Sequence, residues 1–159
     1  YQIEKQAKEG DENFYSLPKP IIKENALNFS FSGIKTHVNH LVKKNVLNDT
    51  FIKNLSASFQ RTIFEIILSK LKKAIKILDN KNIHTRSISI VGGVSNNQYI
   101  KEKLENYFTS ENIDVYYPLK EMMSDNAAMI AWACLKTYNK DKSNIFFQPD
   151  PRMKISNKL

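Results

Sequence analysis

The stretch Ser87-Ile88-Ser89-Ile90-Val91-Gly92-Gly93-Val94-Ser95-Asn96-Asn97 decides the fold. A short apolar strand runs into two adjacent glycines and then into a polar helix start. The helix predicted to begin at Ser95 or Asn96 carries Ile100, Leu104 and Phe108 on one face. A second strand follows at residues 113–117 (IDVYY), closed by Pro118. Asp125 then opens a helix with Ala128, Met129, Ala131 and Trp132 as packing residues.

Upstream lies the longest element. From a cap at Asp49 or Thr50, Phe51, Leu55, Phe59, Ile63, Ile67, Leu71, Ile75 and Leu78 recur every three or four residues. This spacing predicts one amphipathic helix closing at Asp79 and Asn80, with Lys53, Arg61, Lys70, Lys72, Lys73 and Lys76 on its polar face. Residues 50–138 therefore read helix, strand, helix, strand, helix. That order predicts an α/β domain with parallel strands flanked by helices and joined by a right-handed crossover. Ligands on such sheets bind at the carboxyl ends of strands, which points to the loops 92–97 and 118–125 as walls of one cleft.

Nearer the start, residues 1–9 predict a short helix ended by Gly10, and Pro18 and Pro20 impose extended chain. Residues 28–32 (NFSFS) alternate as a short strand does, with a helix over 34–44 after Gly33. Residues 143–159 read as an irregular tail after a folded portion spanning 1–142.

With 159 residues the chain can bury one real core. No apolar run is long enough to span a membrane, and residues 1–20 show no secretory leader. The one cysteine, Cys134, excludes an intrachain disulfide framework and reads as a buried structural thiol in a reducing compartment. The net charge of +8 suits a polyanionic partner. Lysine, asparagine and isoleucine are also what an AT-rich genome supplies, so solvated helix faces explain the charge equally simply.

Four groups carry candidate chemistry. Gly92 and Gly93 let a ligand approach the backbone or form only a tight turn, the helix start behind them offers N–H groups to an anion, and Asn97 can bond a ribose hydroxyl or a base edge. Asp125 can cap its helix or bind a metal ion. The stretch Phe29-Ser30-Phe31-Ser32-Gly33-Ile34-Lys35-Thr36 can touch a phosphate, or serve only as strand, turn and cap. His37 and His40 share a helix face but have neither the spacing nor the glutamate of a zinc-protease helix, and read as surface residues.

Taken in order, Leu17-Pro18-Lys19-Pro20, FSFSGIKT (29–36), Ser58-Phe59-Gln60, VGGVSNN (91–97) and SDNAAMIAWA (124–133) resemble the tRNA N6-adenosine threonylcarbamoyltransferases, in their bacterial and organellar branch. The resemblance implies the C-terminal lobe of an ASKHA fold, the architecture of actin, Hsp70 and sugar kinases. It implies transfer of a threonylcarbamoyl group from threonylcarbamoyl-AMP to the N6 amine of the adenosine beside the anticodon, in tRNAs reading codons that begin with A. By the same resemblance, Asp125 is a metal ligand, Asn97 binds the adenylate, and Gly92 and Gly93 border the nucleotide. One divalent ion per subunit is implied, iron first, with zinc or magnesium as alternatives, and it would polarise the carbamoyl–phosphate group. Implied partners are tRNA, a dimerising paralogue and a small ATPase. The implied compartment is the bacterial cytoplasm, or an organelle matrix for a eukaryotic source.

Two departures qualify this. The chain has no HxxxH pair, which the family uses for its other metal ligands, and the family's GGP segment would precede Tyr1. The sequence thus reads as the C-terminal portion of such an enzyme, without its N-terminal lobe and inactive alone. The competing reading is a non-catalytic module that binds nucleotide or tRNA.

Overall fold

The computed structural model describes residues 2–19 and 27–138. Two compact units divide at the Ser124–Asp125 bond. The expected tail at 143–159, its boundary at 142 and Pro20 lie outside the described residues.

The first unit is built on one helix. Helix α1 spans Gln2–Ala7, α2 spans Ser32–Lys44 and α3 spans Asp49–Asp79. At 1.5 Å per residue, α3 is about 46 Å long. Its cap is Asn48, whose side chain accepts from Phe51 N at 2.8 Å. The expected caps Asp49 and Thr50 are instead the first helical residues. Asn48 wins because its backbone is extended, which leaves its side chain free to turn back onto the third helical N–H.

Strand β1 (Ser87–Ser89) pairs in parallel with β2 (Asp114–Tyr116), Ile88 lying opposite Val115. Between them come a 3-10 turn at Gly93–Asn96 and helix α4, Gln98–Ser110. The parallel pair and the strand–helix–strand order are as the sequence predicts. The core forms where α3, α4 and the sheet meet. Ile34, Ile63, Ile66, Ile67, Ile100, Leu104, Phe108 and Ile113 are buried there, with Leu104 at 0% exposure. Each such side chain contributes about 1.5–3 kcal/mol relative to an exposed one. A smaller cluster of Leu17, Phe51 and Leu55 fixes the N-terminal segment to the start of α3.

Residues 28–31 do not form the expected strand. Phe29 and Phe31 do fall on one side, their rings stacked at 5.8 Å, but among the described residues the sheet consists of β1 and β2. Without a partner ladder an alternating pattern is only extended chain. Helix α2 then starts at Ser32 and takes in Gly33, two residues earlier than expected.

The second unit contains α5, Ala127–Thr137. Its side chains from Ala127 to Lys136 are all exposed, Trp132 at 62% and Leu135 at 74%. The residues expected to pack are therefore uncovered. Cys134, expected to be buried, is exposed for the same reason. Among the described residues no helix is long and apolar enough to cross a membrane.

Candidate functional site

The glycine loop is held from within. Gly92 has φ +93°, a conformation that side chains rarely adopt, so glycine is required there by its backbone. Ser95, 2% exposed, ties the loop down through Oγ to Gly92 O at 2.6 Å. A Cβ at Gly92 or Gly93 would meet no atom within 4 Å, so the backbone there faces open space. This is the accessibility that a ligand-bordering loop needs.

Asn97 caps α4. Its Oδ1 accepts from Ile100 N at 3.0 Å, and its Nδ2 donates to Gln60 Oε1 of α3 at 2.8 Å. A carboxamide has two N–H groups and two lone pairs on oxygen, so one of each remains for a ligand. The helix start itself is less available than its sequence suggests. Gln98 N donates to Glu4 Oε1 at 2.7 Å, so a carboxylate from α1 already occupies the anion position beside the Ile100 bond. The expected phosphate cradle is thus partly filled from within the chain.

These groups surround a cavity of about 450 Å³. Ile3, Phe31, Phe59, Ile63 and Ile100 give it an apolar floor, while Glu4, Gln60, Gly93, Asn96 and Asn97 give it a polar edge. The size lies within the roughly 300–1,000 Å³ of small-molecule sites. Among the lining residues Glu4 carries the only charge, and it is negative. The cavity therefore suits the uncharged nucleoside end of a nucleotide better than its phosphate. A second cavity of about 610 Å³ shares Ile3, Phe31 and Phe59 and continues past Lys35, Val38 and Leu55.

The structure brings Gly92, Gly93 and Asn97 together in this loop; Asp125 belongs to the other unit. There it is exposed, and it does not cap α5. Asn126 does so, accepting from Met129 N at 2.9 Å. His37 and His40 are exposed on α2, as expected of surface histidines. Among the described residues no three His, Cys, Asp or Glu side chains gather as a metal site would require. One carboxylate does not hold a divalent ion, so the residues present do not fit the implied metal by themselves.

The basic face of α3 is partly committed. Lys53 bonds Glu9 and Asp49, both at 2.6 Å, Arg61 bonds Asn13 and lies 3.6 Å from Glu65, and Lys72 sits over the Tyr107 ring. Those carboxylates hold the Lys53 ammonium above its ordinary range. Tyr99, on α4, donates to Glu12 at 2.7 Å; burial first, then this bond, raises its phenol.

Gln60 and Glu4 were not legible as site residues. For Gln60 a signal existed: it falls on the apolar stripe of α3, three residues before Ile63 and seven before Ile67, where a polar side chain needs a reason. For Glu4 no local signal existed, since its partner is 94 positions away.

The sequence model of the family described as TsaD: tRNA N6-adenosine threonylcarbamoyltransferase matches residues 1–132. The chain belongs to this family. A Rickettsia bellii protein named tRNA N6-adenosine threonylcarbamoyltransferase is 46% identical over 140 residues, covering 87% of this chain and 41% of the relative. Proteins of the same name from Rickettsia rickettsii and Thermosipho africanus are 40% and 39% identical, each match covering 97% of this chain and 46% of the relative. The chain thus spans less than half the length of these curated relatives.

Proposed function

We propose that the protein to which this chain belongs transfers the threonylcarbamoyl group of threonylcarbamoyl-AMP to the N6 amine of the adenosine beside the anticodon, in tRNAs reading codons that begin with A. The observation that carries this reading is the family match across residues 1–132. In that reaction the amine attacks the carbamoyl carbonyl. A C–N bond forms, the C–O bond to the phosphate breaks, the amine loses a proton and AMP leaves.

This chain's share is to bind and orient. The apolar floor takes the adenine ring of the adenylate, the remaining N–H and lone pair of Asn97 fix a polar edge or ribose hydroxyl, and the open backbone at Gly92 and Gly93 borders it. Family membership is our basis for assigning an ASKHA lobe, and the parallel pair with its crossover helix is compatible with it. Asp125 is assigned as one donor to a divalent ion, iron by resemblance, whose other donors come from outside the described residues. The surplus of positive charge fits tRNA as the macromolecular substrate. A dimerising paralogue and a small ATPase complete the proposed assembly, in a cytoplasmic or organelle-matrix setting.

The test is mass-spectrometric detection of threonylcarbamoyladenosine in tRNA, with threonylcarbamoyl-AMP, unmodified tRNA, the complete protein and its partners. Product is expected with wild type and not with Asp125→Ala. That variant should melt with wild type, because Asn126 and not Asp125 caps α5. Near-normal turnover by Asp125→Ala removes the ligand role. No product from a folded wild-type assembly that still binds adenylate favours a binding module.

A further inference from the structure

Gln60 sits on α3, yet it lines the same cavity as the glycine loop and is only 6% exposed. Its Oε1 accepts from Asn97 Nδ2 at 2.8 Å. On the other side Asn97 Oδ1 is held by Ile100 N at 3.0 Å. The helix cap alone leaves a carboxamide free to swing about its cap bond and present its N–H groups in several directions. A second bond from a different element removes that freedom, and a buried side chain in a packed helix is a rigid place to anchor it.

We propose that Gln60 is a positioning residue, which locks the Asn97 carboxamide in the orientation that receives the nucleoside end of the adenylate. This rests on the reading of the cavity given above and adds to it the group that sets its geometry. Gln60 acts as an acceptor. Of the side chains that reach as far, glutamate keeps an acceptor oxygen at that position and methionine keeps the volume without one. Without Gln60 the Asn97 amide is left with an unpaired N–H and a wider range of rotamers, and the ordering cost moves to the moment of binding.

The test is calorimetric titration of the complete protein with threonylcarbamoyl-AMP, for wild type, Gln60→Met, Gln60→Glu, Asn97→Ala and the double variant Gln60→Met/Asn97→Ala. Melting curves and binding stoichiometry confirm that each variant is folded. Expected are a loss of about tenfold for Asn97→Ala and about three- to tenfold for Gln60→Met. Gln60→Glu should bind within about threefold of wild type while Gln60→Met does not, whereas a purely packing role would leave both near wild type. The double variant should bind like Asn97→Ala alone, because Gln60 works through Asn97. Loss in Asn97→Ala with none in Gln60→Met overturns the positioning role and leaves the cavity reading standing. So does a full additional loss in the double variant. Unchanged affinity in Asn97→Ala overturns both.

Discussion

Replacing Gly10 by alanine should separate the N-terminal segment from α3. A Cβ at Gly10 would lie 2.1 Å from the Lys53 carbonyl oxygen, 2.4 Å from its carbon and 2.9 Å from Asn54 N. All three are backbone atoms inside a 31-residue helix, so nothing on that side can rotate away. The segment must retreat by about 1.3 Å to restore ordinary contact. The hydrogen bonds across this seam include Asp11 N to Asn54 Oδ1 at 2.9 Å, Ser58 Oγ to Asp11 O at 3.3 Å and Tyr15 N to Ser58 Oγ at 3.0 Å. Overpacking costs about 1–3 kcal/mol and each weakened bond about 0.5–1.5 kcal/mol. Alanine also narrows the unfolded ensemble, which stabilises by about 0.4–1 kcal/mol. The net expectation is a loss of about 2–7 kcal/mol. Urea unfolding followed by circular dichroism reads it as a lower midpoint at unchanged slope. Because α1 supplies Ile3 and Glu4 to the cavity, adenylate affinity should fall with it. An unchanged or higher midpoint would refute the reasoning, since that is what the entropy effect alone predicts.

Three further outcomes are expected. Leu104→Ala, at the fully buried centre of the core, should cost about 2–5 kcal/mol in the same assay. Asn48→Ala should cost about 1 kcal/mol, while Thr50→Ala stays within about 0.5 kcal/mol; the reverse order would return the cap of α3 to Thr50. Stability should be full below pH about 10, the unfolded tyrosine value, and fall as pH climbs through the raised folded values of Tyr99 and Tyr117. The Tyr117 phenol is pushed up to about 12, by burial and then by Glu105. Tyr99→Phe should flatten part of that alkaline decline in melting temperature, and an unaltered slope would show that Tyr99 does not contribute to it.

The fold was legible where one element decides its own structure. The apolar spacing through α3 and the strand–glycine–helix run at residues 87–97 each carry enough local signal for their elements to form, though the cap of α3 is Asn48 and α4 starts at Gln98, after the 3-10 turn, rather than at Ser95 or Asn96. Local reading failed where a partner decides. The alternation of Phe29 and Phe31 is real, but no strand among the described residues turns it into a sheet. The helix at Ala127–Thr137 has a core-like composition, but the described residues leave it uncovered, and so Cys134 is exposed. In the candidate site the glycines and Asn97 announce themselves by type and position. Gln60 shows only as a polar residue on the apolar stripe of α3 until that helix is brought against the loop, and Glu4 has no local signal at all.

The exposed α5 helix has a practical consequence for spectroscopy. Trp132 is the chain's single tryptophan, and it stands in water on that helix with Lys136 Nζ 4.7 Å from its ring. Its emission starts from an already hydrated indole. Docking of any surface onto α5 will dehydrate the ring and shift the emission to the blue. Tryptophan fluorescence of this chain thus reads the surroundings of α5 without a label.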